Sequence, residues 1–159
     1  MSTTASAAAL PKPKLIGTWV AQVLVFGIFV MAGPLAKLTA AEPAQAIFDK
    51  IGLGAPGMYA TGVAELIAMV LIVIPMTAWA GAGLTVLLML GALAGHLFLG
   101  LGVSISEEVH PDAAGPMMFM MALVAMLASL TVLFIRRAQI PMVGAQLAGG
   151  GASQQSTSS

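Results

Sequence analysis

Cysteine is absent from all 159 residues, which excludes disulfides, thiolate catalysis and cysteine-ligated zinc or iron–sulfur centres together. A redox role would have to be carried by a bound cofactor or a partner chain. Charge is nearly as scarce: 8% of residues are Asp, Glu, Lys or Arg, against roughly 25% in soluble domains, and six acidic side chains balance six basic ones. No basic patch exists to neutralise phosphates, so nucleic acid is not a partner. Internal repeats are missing too, and with them the broken helix pairs from which small-solute transporters are usually built. What fills the chain is apolar: 59% of residues, more than a soluble fold of this length could hide.

The apolar residues gather into four runs, Leu15–Ala36, Met58–Thr77, Leu84–Val103 and Met117–Ile135, of 19 to 22 residues each. A helix needs roughly 20 to cross the hydrocarbon core. The chain therefore reads as all-α, a polytopic membrane protein with a bundle of four transmembrane helices, and the lipid bilayer is its first partner. Lys12 and Lys14 before the first run and Ala32-Gly33 at its end imitate a signal peptide. The run is nevertheless longer than the about 7–15 residues of a signal h-region, which favours a membrane helix. Residues 1–14 and the Gly/Ser/Gln-rich stretch 138–159 lack the apolar content to pack and are expected to be mobile tails around a domain spanning 15–137.

Between spans one and two, Ala44, Ile47, Phe48 and Ile51 recur at helical spacing opposite Gln45, Asp49 and Lys50. Pro43 suits a first turn, and Gly52 and Gly54 suit an end, so a short helix lying in the membrane interface is expected here. Pro75 to Gly81, uncharged and carrying Trp79, reads as the turn of an antiparallel hairpin between spans two and three. The third connection, Ser104 to Pro116, holds Glu107, Glu108, His110 and Asp112 without Lys or Arg, and reads as a solvated acidic loop rather than a metal site. Lys12, Lys14, Arg136 and Arg137 lie at the termini, whereas Lys37 and Lys50 lie on the other side. The positive-inside rule thus places both termini in the cytoplasm, by four to two.

Glu65 is the only formally charged side chain within the four runs. A carboxylate facing lipid is costly, so it should point into the bundle and find a partner. It shares a face of span two with Thr61, Gly62, Ala68 and Met69, a small and polar stripe of the kind on which membrane helices pack. Span three repeats the theme with Gly91, Gly95 and Gly100 beside His96, an ionisable side chain within a membrane span. At ~1.5 Å per residue, Glu65 and His96 each fall ~10 Å inside the same end of their spans. Lys37 stands just past span one on that side, able to snorkel outward or to reach the carboxylate. The candidate polar site is therefore Glu65, His96, Lys37 and Thr61, with Gly62, Gly91, Gly95 and Gly100 as helix-packing positions. Gln22 sits in the opposite half and reads as a lone interhelical hydrogen bond. The twelve methionines run around their helices rather than along a paired stripe and read as packing, not copper ligation; no metal is expected.

Several of these residues fall into a recognisable order: Ala32-Gly33, Lys37-Leu38-Thr39, Phe48-Asp49-x-Ile51-Gly52-x-Gly54, Tyr59-x-Thr61-Gly62-x-x-Glu65, a run closing at Pro75, and Ala92-x-x-x-His96-Leu97-Phe98. Over about residues 17–137 the pattern resembles the DoxX-like family of four-span membrane proteins. Gly33 and Lys37 stand further apart here than is common in that family. The resemblance implies a four-helix bundle in a bacterial cytoplasmic membrane and a role near respiratory or sulfur-oxidising systems, as an accessory subunit or one facing a quinone. A redox-enzyme subunit or a second copy of the chain is the partner this implies. Fold alone does not carry such a role, and the chain has no catalytic motif. A competing reading makes Glu65 and Lys37 a buried tie in a non-catalytic assembly protein; small-solute transport, disfavoured by the missing repeats, stands behind both. Thiol oxidoreductase chemistry of the vitamin K epoxide reductase type, on a similar fold, is excluded by the absence of cysteine.

Overall fold

The computed structural model describes residues 11–137, and the two expected tails lie largely outside these. Six helices carry the fold: α1 (Lys12–Ala32), α2 (Pro34–Leu38), α3 (Glu42–Lys50), α4 (Gly54–Val73), α5 (Ala78–Phe98) and α6 (Met117–Ile135), with one 3-10 turn at Pro111–Ala113. Among the described residues, four segments are long and apolar enough to cross a membrane: Lys12–Leu38, which joins α1 to α2, and the helices α4, α5 and α6. The long helices close a ring in which α1 packs on α6, α6 on α5, α5 on α4 and α4 on α1. Val25, Phe29, Ile72, Met89, Ala125 and Val132 form the middle of that ring. Val23, Val70, Leu87 and Leu127 stay exposed on its outside, as lipid rather than water requires.

The first span is broken where the sequence reading took it as continuous to Ala36. Pro34 disfavours helical backbone at the residue before it, and Gly33 takes φ −99°, ψ −132°. Only glycine fits there, because a Cβ would stand 2.2 Å from the Phe29 carbonyl oxygen. Pro34 then opens α2 as a separate piece, its missing N–H costing nothing at a first turn. The start also differs: the helix begins at Lys12, so Lys12, Pro13 and Lys14 belong to α1 rather than to a tail.

The interfacial segment forms the expected helix. Pro43 lies in the first turn of α3, Ala44 and Phe48 are buried, and Ile47 and Ile51 are partly buried. With Met58 of α4, Ala44 and Phe48 make a second, smaller core over one end of the bundle. We call this the capped end, and the other, where α1 begins and α6 finishes, the termini end.

Spans two and three shift from their expected bounds. Their connection is only residues 74–77, and α5 starts at Ala78, taking in Trp79. Small residues explain the early start: a Cβ at Gly81 would lie 2.5 Å from the Ile72 backbone nitrogen, so α4 and α5 meet backbone to backbone. Thr77 closes the turn by donating its hydroxyl to the Leu71 carbonyl at 2.9 Å. At the other end α5 stops at Phe98, not Val103, because Gly100 at φ 85° turns the chain and Leu101 folds back, buried, with its N–H on the Gly95 carbonyl.

The acidic connection is also more ordered than a solvated loop. Ile105 and Gly115 exchange a pair of backbone hydrogen bonds, at 3.1 and 2.9 Å, and pinch it shut. Leu101, Ile105 and Ala113 are buried beneath it. His110 stands 3.9 Å from Glu42 of α3, so the loop and the interfacial helix meet over the capped end.

Candidate functional site

A cavity of ≈ 480 Å³ lies under the cap, within the range of small-molecule sites. Its walls are mostly apolar, and its polar lining is Lys37, Thr61, Glu65, His96 and Asp112. Four of these are the residues expected from sequence.

The break at Gly33-Pro34 sets Lys37 in place. It swings α2 across the flank of α4, where Gly62 supplies the contact: a Cβ there would come within 3.0 Å of Lys37 Cβ and 3.2 Å of the Leu38 side chain. One turn further along α4 stands Glu65, 5% exposed. Lys37 Nζ donates to Glu65 Oε2 at 2.9 Å, so the lysine reaches inward rather than snorkelling out. The two charges neutralise each other in an apolar surround, where breaking such a pair costs about 3–5 kcal/mol because one charge is left buried alone.

His96 occupies the last turn of α5, 6% exposed. Its Nδ1 lies 2.6 Å from the Gly102 carbonyl oxygen. A carbonyl only accepts, so Nδ1 carries the proton, and in the neutral ring Nε2 is an acceptor. Phe119 of α6 meets the ring edge-on, centroids 5.5 Å apart. The same retreat of the chain at Gly100 that ends α5 thus supplies the carbonyl that orients the imidazole.

Equal depth for Glu65 and His96 is corrected. Glu65 is eleven residues into α4 from Gly54, ~16 Å, whereas His96 is two residues from the end of α5 at Phe98, ~3 Å. The reason is the shifted helix ends: apolar Leu101 and Val103 extend the run in sequence but not the helix. No hydrogen bond joins Glu65 to His96 among the described residues; they share a cavity, one deep and one near its cap. Asp112, from the 3-10 turn, was missed as a lining residue. The signal was there in Ile105 and Ala113, apolar residues that a freely solvated loop has no reason to carry.

The glycines divide. Gly62 and Gly95 are buried, and a Cβ at Gly95 would touch Leu101 and Ile51 at 3.6 and 3.7 Å. Gly91 and Gly100 are not packing positions within this chain. Both are exposed with nothing within 4 Å, Gly91 because it turns outward on α5 and Gly100 because it lies beyond the helix.

Gln22 stays outside the site. Its Nε2 donates to the Ile72 carbonyl across the α1–α4 contact, while its Oε1 and Ser129 Oγ on α6 are buried without a hydrogen-bond partner among the described residues. Sequence reading also missed Arg136, 3% exposed, which donates to the Pro75 carbonyl at 2.6 Å and ties the end of α6 to the α4–α5 turn.

No family model, curated protein or solved structure matches the chain.

Proposed function

We propose that this is a DoxX-like protein of the bacterial cytoplasmic membrane, an accessory or quinone-facing subunit of a membrane redox system. The observation that carries this reading is the cavity itself: ligand-sized, largely apolar, with a neutralised ion pair deep inside and an oriented imidazole near its cap. Such a lining suits an amphipathic molecule whose polar ring is hydrogen-bonded and whose tail needs only apolar contact. Support for the family comes from the order of Gly33, Lys37, the interfacial helix, Gly62 and Glu65. The partner on this reading is a redox-enzyme subunit that supplies the electron chemistry this cysteine-free chain lacks.

The test is purification from its own membrane in mild detergent. Bound quinone in the extract, and a rise in thermal stability on adding quinone to stripped protein, are expected; absence of both overturns the reading. For orientation, we place both termini in the cytoplasm. Cysteine introduced at exposed Ser106 should react with an impermeant thiol reagent in intact cells, and one at Ser153 should not. The opposite labelling reverses the topology.

One observation favours the competing assembly reading. Lys37 and Glu65 are joined directly at 2.9 Å and held by the packing of Gly62, which is enough to make them a structural tie between α2 and α4. In that case the stripped protein is as stable as the native one, and quinone changes nothing.

A further inference from the structure

Charge is divided unevenly between the two ends of the bundle. All six acidic residues belong to the capped end or line the cavity: Glu42 and Asp49 on α3, Glu65 on α4, and Glu107, Glu108 and Asp112 in the acidic loop. Lys12, Lys14 and Arg137 are exposed at the termini end, where the sequence supplies no acidic side chain. A cation held there at a membrane surface has to find its anion outside the chain.

On the lipid-facing side of the α1–α4 contact lies an open groove of ≈ 390 Å³, lined by Phe26, Leu66, Met69, Val70, Val73 and Ile74 and wholly apolar. It follows α4 for seven residues from Leu66 to Val73, ~10 Å, which is most of the ~15 Å depth of one leaflet. An acyl chain suits such a surface. Lys12, Trp19 and Phe26 are spaced seven residues apart on α1, and each step of seven drifts by only about 20°, so the three share one stripe. Phe26 lies in the groove, Trp19 stands 43% exposed toward its mouth, and Lys12 ends the stripe.

Height places the lysine at the headgroups. A Cβ on Gly17 would lie 3.8 Å from Ile135 Cδ1, so Gly17 is level with the last residue of α6 and Lys12 stands five residues, ~7 Å, beyond it. The headgroup layer adds about 5–7 Å on each side of the hydrocarbon core. Lys14 is at a similar height but two residues, about 200°, further round the helix, on the far side from the stripe.

We propose that this face binds one anionic phospholipid, with an acyl chain in the α1–α4 groove, the glycerol region beside Trp19, and the phosphate-bearing headgroup on Lys12. Phosphatidylcholine carries its own ammonium to offset the phosphate; phosphatidylglycerol does not, and so gains more from the lysine. The site is separate from the cavity and does not depend on what the cavity binds.

Trp19 is the reporter, since the chain's only other tryptophan is Trp79. The full chain carrying Trp79→Phe is reconstituted in bilayers in which phosphatidylglycerol or phosphatidylcholine is brominated near the glycerol end of its chains, and quenching of Trp19 is measured. Phosphatidylglycerol should be preferred about fivefold at the quenching site, the size expected for one lysine near anionic lipid. Lys12→Gln should bring the preference close to one, Lys12→Arg should keep it, and Lys14→Gln should leave it unchanged. Val70→Phe fills the groove and should reduce quenching by both lipids. Equal losses from the Lys12 and Lys14 variants would mean diffuse surface attraction and overturn the site, as would equal quenching by the two lipids in the parent. Quenching by neither lipid would mean that a second copy of the chain covers the groove, which also overturns it.

Discussion

The two ends of the bundle are closed by opposite means, and their buried polar groups meet opposite fates. At the termini end, Gly81 brings the backbone of α5 onto Ile72, and Arg136 clamps the Pro75 carbonyl, so the helices touch and leave little room. Gln22 Oε1 and Ser129 Oγ are trapped there without hydrogen-bond partners among the described residues. At the capped end the kink at Gly33-Pro34 lets the chain leave the ring, and α2, α3 and the acidic loop roof over the space instead of filling it. Glu65 and His96 therefore keep open hydrogen-bonding positions. The comparison teaches that buried polarity in a membrane bundle indicates a site only where the packing leaves space beside it. Elsewhere it is a cost borne by tight helix contact.

The contrast can be broken most forcefully at the ion pair. Lys37→Met strands the Glu65 carboxylate and should lower unfolding free energy by about 3–5 kcal/mol, while adding Glu65→Gln should restore most of the loss. Unfolding in bicelles or nanodiscs reads both, and simple additivity would show that the pair is not coupled. At the termini end, Arg136→Gln removes a charged donor from the Pro75 carbonyl and should cost about 1.5–3 kcal/mol. An unchanged midpoint would mean the α4–α5 turn does not depend on α6.

Paired glycine substitutions sharpen the comparison. Gly81→Ala forces a Cβ to within 2.5 Å of the Ile72 nitrogen and should cost about 1–3 kcal/mol by overpacking. Gly91→Ala, with open space around it, should be neutral or gain up to about 1 kcal/mol from helix propensity. The smallest effect is expected for Ser129→Ala: removing a sealed hydroxyl that has no partner among the described residues should leave stability within about 1 kcal/mol or raise it. A larger loss would show that the hydroxyl is paired in the membrane.

The sequence by itself determined the number of membrane-length spans, the interfacial helix and the burial of Glu65. Each follows from local apolar periodicity or from the cost of a lone charge in hydrocarbon, which no arrangement of neighbours can evade. It also brought Lys37 to the correct end, since a lysine one turn past a span has only the rim or the interior to choose from. Which of these it takes was decided by tertiary structure, through the turn at Gly33 and the seat at Gly62. Only the fold decided that His96 stands near the cap rather than level with Glu65. Hydropathy marks where a chain is apolar, whereas Gly100, at positive φ, marks where it stops being a helix. The roof over the cavity was settled the same way: Ile105 and Gly115 pair across nine intervening residues, a contact that neither segment specifies alone.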